Sequence, residues 1–503
     1  MREMLLRIFI VTVILYSPIL VNGCAIPNSL FSEHAVLQRN MGVPVWGTAR
    51  DGEKIRLEFD GQMVKTVARH GTWMVKLKPM KAGGPYTMRI ISDTTIMIND
   101  IFVGEVWVCS GQSNMGFRMR QGVVNGDQEI ADANYPLIRQ FYVPYSASHQ
   151  PVADTKGKWQ VCTPESVKSF TAVGYFFARD LYKELNIPFG IIFSAVGGTP
   201  AECWTSKERL EQTPELKGIA DDFDKSIDSY PDRLTKYKQD EPVLLEKYQL
   251  ELKIARKDTT KPAPRKPMPP ENPLSSSTAG GLYTGMIKPL QPFAIKGTIW
   301  YQGEANSKRA EQYKILFPTL IAEWRKEWGE GNFPFLFVQV APWKGTGPEI
   351  REAQLLTWLK TPETAMAVTT DCGDAENIHP SLKQPVGLRL SLAARAIAYH
   401  ETIEYSGPLY QSMSVQDSKV ILSFTHQKQL IAKGGVLKGF KIAGADKKFV
   451  EATAEIQGDK VVVYSSRINA PVAVRYGWEF VPDVNLYNEA DIPASPFRTD
   501  QDQ

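Results

Sequence analysis

Between about residue 25 and residue 100, apolar and polar positions alternate with the two-residue period of a half-buried strand, in runs at 43–46, 54–59, 72–77 and 86–91. Asp51-Gly52, Asp60-Gly61, His70-Gly71 and Gly83-Gly84 punctuate them at turn spacing, which predicts an antiparallel β-sandwich over 24–100. The period then changes. Short apolar runs at 104–109, 190–194, 297–301, 335–340 and 365–370 read as buried strands, and helical spacing at 172–185, 310–328, 352–359 and 382–399 falls between them. Strands alternating with helices predict an α/β domain over 101–404, built on a mostly parallel sheet. From 405 to 503 the pattern returns to β character, with runs at 420–424, 460–464 and 472–476, and predicts a second sandwich. One segment breaks the α/β rhythm: 206–277 is charged with helical spacing and ends in a proline-rich stretch at 261–270, as a surface insertion would.

Composition narrows the class. Lys and Arg number 58 against 55 Asp and Glu, a net charge of +3 on 503 residues, and that excludes the concentrated basic face of an electrostatic nucleic-acid binder. With 43% apolar and 22% charged residues the chain is globular. Five cysteines cannot staple a chain this long, no CxxC pair occurs, and six histidines leave little room for metal chemistry, so no metal or cofactor is expected. At the N-terminus, Arg2 and Arg7 precede a short apolar run that Pro18 interrupts, the pattern of a signal peptide over 1–23. Cys24 follows where cleavage is expected and resembles the cysteine of a lipoprotein box. The chain is therefore expected to be exported, either secreted or held at the periplasm or outer membrane by lipid on Cys24, its sole membrane contact.

The candidate chemistry gathers at predicted strand ends. Ser113, in Gly111-Gln112-Ser113-Asn114-Met115, follows an apolar strand at the edge where open α/β sheets bind ligands. By itself such a serine is more often a helix N-cap. A serine nucleophile needs a general base. His34, His70 and His426 belong to the β regions, His149 to a polar loop and His400 to a helix end, which leaves His379 in the loop after strand 365–370. Glu376, three residues earlier, is the first candidate to orient it and Asp374 the alternative. Gly197-Gly198 after strand 190–194 lets backbone N–H groups approach a ligand closely, and Gln302 after strand 297–301 adds a side-chain amide donor, so both suit an oxyanion.

Taken together, Gly111 to Met115, Gly197-Gly198-Thr199 with Glu202 and Trp204, Trp300 to Asn306, and Ile378-His379-Pro380 with Lys383 resemble the sialate O-acetylesterase family, serine esterases of the SGNH-hydrolase type. The likeness extends to Val43-Pro44-Val45-Trp46-Gly47 and to residues 494–500. It implies Ser113 as nucleophile, His379 as base, and an oxyanion hole from the N–H groups of Ser113 and Gly198 with the Gln302 amide. Two departures stand out: Glu376 occupies the place of the family's Asp, and Thr284 stands where relatives show Asn.

The expectation is thus an SGNH-like three-layer α/β domain between two β regions, acting as a carbohydrate O-acetylesterase through an acetyl-serine. Its substrate is acetylated sialate or, alternatively, acetylated plant polysaccharide such as xylan or xyloglucan. A sialate carboxylate calls for an arginine, with Arg351 and Arg118 as candidates, and Trp204 is a candidate for stacking on sugar. A non-catalytic glycan-binding protein and a glycosidase using Glu304 and Asp374 are the rival classes.

Overall fold

The computed structural model describes residues 24–257 and 263–500, so the expected signal segment 1–23 lies outside the described residues. The architecture is mixed α/β, with one large sheet and additional β-sheets at the C-terminal end. Across the α/β half the strand order is Lys158–Cys162, Tyr135–Tyr142, Phe189–Ala195, Thr95–Gly111, Gly297–Tyr301, Phe335–Val338 and Thr364–Ala367. Neighbours along this path pair in parallel, except the antiparallel edge pair of Lys158–Cys162 with Tyr135–Tyr142.

Both faces of the sheet are covered, which is why its strands read as continuous apolar runs. Alternate residues serve opposite layers. Trp107, Cys109, Ile191, Phe193 and Ile299 pack with the helices Ala172–Leu185 and Gln384–Ile397. Val106, Val108, Ile192, Trp300 and Phe337 pack with the helix Ala310–Trp328. Cys109, Cys162, Cys203 and Cys372 are buried free thiols in these layers.

The strand Thr95–Gly111 runs through the expected boundary at 100/101. Its first half pairs antiparallel with Gly83–Ile91 in the N-terminal β region, and its second half pairs in parallel with Phe189–Ala195 and Gly297–Tyr301. Apolar alternation dies out in its exposed N-terminal part, so only 104–109 is visible as a strand in the sequence. Two other strands of the α/β half are absent from the sequence pattern, Tyr135–Tyr142 and Lys158–Cys162. In the first, Arg139 and Gln140 are buried and interrupt the apolar run.

The insertion forms the helices Lys207–Gln212, Lys217–Asp228 and Tyr230–Lys257. Leu210, Ala220 and Phe223 anchor the first two, whereas the last has no buried residue. The C-terminal sheets enclose a separate apolar cluster around Val420, Leu422, Val461, Val463 and Tyr476. They dock on the α/β half through Arg498, which bridges both Glu352 oxygens at 2.6 and 3.0 Å, and through the Tyr487 hydroxyl, 3.2 Å from Asp371.

Trp300 lies fully buried at the centre of the helix 310–328 layer, edge-on to Trp204 at 6.0 Å and to Trp324 at 5.8 Å. Trp300→Ala should therefore lower stability by about 3–5 kcal/mol. A urea titration checks this as a lowered midpoint at unchanged slope.

Candidate active site

Register brings the strand-end loops to one height. Gly111 is paired with Ala195 on one side and Tyr301 on the other. It has φ +133°, and a Cβ there would stand 2.2 Å from the Tyr301 carbonyl oxygen, so only glycine fits. The next residue, Gln112, donates its N–H to that oxygen at 2.9 Å and accepts at Oε1 from the N–H groups of Gly303 and Ala305. Gln112 is thereby the N-cap of the short helix Ser113–Gly116, and Ser113 takes the first helical position instead of capping. Ser113 is half-buried, and its Cβ lies 3.4 Å from where a Gly197 Cβ would be.

Asn114 ties three loops together. Its Nδ2 donates to Glu304 Oε1 at 2.6 Å and to the Ile378 carbonyl at 2.9 Å, and its Oδ1 accepts from Lys383 Nζ at 2.6 Å. The residues adjacent to Ser113 and His379 are thus joined directly. Among the described residues no hydrogen bond links the Ser113 hydroxyl to the His379 ring. Lys383 is buried, with its ammonium over the rings of Phe117 at 4.9 Å and Tyr301 at 5.4 Å. Burial pulls its pKa down to about 7, against the opposing pull of Glu304, and burial likewise raises that of Glu304. Partial burial and the Lys383 cation together lower the pKa of His379.

The carboxylates expected beside His379 are engaged elsewhere. Glu376 is exposed and ion-paired with Lys344. Asp374 Oδ1 accepts from the N–H groups of Glu376 at 2.9 Å and Asn377 at 3.2 Å, closing the turn that carries the loop. Asp371 braces the loop from below, bound to both terminal nitrogens of Arg389 at 2.6 Å. Three other histidines have partners of their own: His34 pairs with Asp100 at 2.6 Å, His426 with Glu404 at 2.8 Å, and His149 stacks on Phe223 at 4.3 Å.

Gly197 and Gly198 are exposed, and Gly198 has φ +74°. The N–H groups of Ser113, Gly197 and Gly198 donate to nothing among the described residues. Gln302 is fully buried. Its amide donates to Asn306 Oδ1 at 2.7 Å and, more weakly, to the Thr199 carbonyl at 3.3 Å, while its Oε1 accepts from the Tyr313 hydroxyl at 3.0 Å. Glu202 holds Asn306 Nδ2 at 2.9 Å and pairs with Arg309.

Two expected substrate contacts are corrected. Trp204 is fully buried, its Nε1 bonded to Thr199 Oγ1 at 3.0 Å, and packs in the core where no sugar reaches. Arg351 is also fully buried, and its guanidinium donates to the carbonyls of Glu479 and Phe480, fastening the C-terminal region. Thr284 is half-buried in a single π-helical turn, Tyr283–Ile287, and faces a groove under the insertion with Glu208 and Arg209. The Asn114–Glu304–Lys383 network went unread in the sequence, although Lys383 stood in the matching block. A lysine four residues past the histidine, immediately before the helix Gln384–Ile397, was its available signal.

A family model described as carbohydrate esterase, sialic acid-specific acetylesterase, matches residues 274–398. The sialate O-acetylesterase of Rattus norvegicus is 31% identical over 93% of this chain and 93% of its own length. That of Homo sapiens is 29% identical over 93% and 91%. A carbohydrate acetylesterase from Xanthomonas citri, known from its crystal structure, superposes with a TM-score of 0.80 at 37% identity, covering 95% of this chain and 100% of that one. With likeness of this depth running through both β regions as well as the strand-end loops, the chain belongs to the sialate O-acetylesterase family.

Proposed function

We propose that the protein removes O-acetyl groups from carbohydrate hydroxyls on an SGNH-type three-layer domain, with Ser113 as nucleophile and His379 as general base. The observation that carries this reading is the Asn114 tie, which holds the residues beside Ser113 and His379 together next to unused backbone donors. Ser113 Oγ attacks the acetyl carbonyl and its proton passes to His379 Nε2. The tetrahedral oxyanion accepts from the N–H groups of Ser113 and Gly198. Gln302 joins them by exchanging its long bond to the Thr199 carbonyl for one to the oxyanion. Collapse expels the sugar oxygen, which takes the proton from His379. Water, deprotonated by the same imidazole, then releases acetate and restores Ser113.

Glu376 and Asp374 leave the imidazole without a carboxylate partner, so the base works as a serine–histidine dyad. Partial burial, reinforced by the Lys383 cation, keeps it neutral, and hence able to accept a proton, into mildly acidic solution. The glycosidase alternative loses support because Glu304 is buried against Asn114 and Asp374 closes a turn. A glycan-binding protein without activity would bind sugar and release no acetate. The mature chain begins at Cys24 and is exported, either free or lipid-anchored.

Ser113→Ala should abolish acetate release from a chromogenic acetyl ester while leaving the circular-dichroism spectrum unchanged. Gln302→Ala should lower kcat by on the order of 10²–10³, and a change within a factor of two removes it from the oxyanion hole. His379 must be neutral to act, so kcat/KM should fall on the acid side only below the ordinary histidine value of about 6.5. Removing the neighbouring cation in Lys383→Met raises the histidine pKa, and the acid limb of the pH–rate profile should move to higher pH.

A further inference from the structure

On the sheet edge that carries Ser113, two strands away, lies a cleft of about 510 Å³. Arg118, Arg120, Lys156 and Lys158 line it, and no carboxylate does. Among the described residues none of these cations forms an ion pair, in a chain whose acidic and basic residues nearly balance. Arg118 is held in place. Its guanidinium lies 4.5 Å from the Phe193 ring centroid and 5.2 Å from that of Tyr142, and Nη1 donates to the Ser169 carbonyl at 2.5 Å. Gln140 supplies a second, independent sign of a ligand. It lines the same cleft and is 1% exposed. Its Oε1 accepts from the Thr171 N–H at 3.1 Å, while Nε2 is a buried donor with no partner among the described residues. A buried amide donor beside a stacked guanidinium and unpaired lysines offers hydrogen bonds and positive charge, and little that accepts.

Phe193 and Tyr142 are paired across neighbouring strands, two residues before the level of Gly111. Two strand spacings separate the Ser113 strand from Tyr142, about 10 Å. That distance suits the far end of the acetylated sugar or the sugar next to it. We propose that the Arg118–Gln140 cleft binds the carboxylate of an acidic sugar while Ser113 engages its acetyl ester, which makes this cleft, and not Arg351, the determinant of acidic substrates. The proposal rests on the esterase reading above. A carboxylate can come from two sources, a sialic acid that itself carries the acetyl group or a uronic acid beside an acetylated neutral sugar.

The test measures kcat/KM for O-acetylated N-acetylneuraminic acid, acetylated glucuronoxylan oligosaccharides and acetylated uncharged xylo-oligosaccharides. It is run on the full protein, Arg118→Gln and the double variant Lys156→Gln/Lys158→Gln. The acidic-over-neutral ratio should fall about tenfold or more in Arg118→Gln and by a smaller factor in the double variant. Added salt should depress the wild-type ratio in the same direction. Loss confined to the sialate identifies a carboxylate on the reacting sugar, and loss confined to glucuronoxylan identifies one on its neighbour. A ratio unchanged in both variants overturns the proposal. If Arg118→Gln fails to fold, as thermal melting would show, the double variant carries the test on exposed side chains. If the wild type releases no acetate from any ester, the esterase reading fails by itself. The cleft is then judged by calorimetric binding of N-acetylneuraminate and glucuronate, where affinity weakened in the variants supports it and equal affinity overturns it.

Discussion

The side-chain amide of Asn114 is the point on which the catalytic edge depends. One end of it fastens the loop after Gly297–Tyr301 through Glu304 and the histidine loop through the Ile378 carbonyl, and the other end receives Lys383. A sheet brings strand ends to a common height but leaves the loops beyond them free to differ by several ångströms. A fully satisfied buried amide removes that freedom, because any displacement leaves a polar group unpaired away from water. Burying an ammonium and a carboxylate around it is unfavourable in itself, and the lowered affinity of Lys383 for its proton reflects that. Here the unfavourable burial serves position, with an electrostatic effect on His379 as a by-product.

The glycines do complementary work in the backbone. Gly111 lets one strand end touch the Tyr301 carbonyl, and the N–H groups of the exposed pair Gly197-Gly198, beside Ser113, have no partner among the described residues. Side-chain donors in the same region are satisfied by one another, as with Gln302, Asn306 and Glu202. Among the described residues, then, it is the backbone donors that are left without partners.

Much of this was legible in the sequence, for identifiable reasons. Helices Ala172–Leu185 and Ala310–Trp328 and strands Lys54–Phe59, Thr72–Leu77 and Gly297–Tyr301 were read with their observed bounds, the first four from a clean period and the last as a short unbroken apolar run. Glycine-marked strand ends pointed to Ser113, Gly198 and Gln302. Partnership was less legible. Spacing suggested Glu376 for His379, yet which way a loop carboxylate points is decided by tertiary neighbours, here Lys344. Trp204 and Arg351 looked like ligand contacts because they are large and functional in type, and only burial reveals that they pack and fasten. The same polar residues that hid Tyr135–Tyr142 from a hydrophobic pattern, Arg139 and Gln140, are buried where that strand passes beneath the surface.

The strand Thr95–Gly111 gives the molecule a shared spine. Because one hydrogen-bonded ribbon belongs to both the N-terminal β region and the catalytic sheet, neither can open without fraying the other. The N-terminal region is then no detachable accessory. Cutting it away would bare the edge of the strand that leads into Ser113, and the two halves are bound to melt as a single cooperative body.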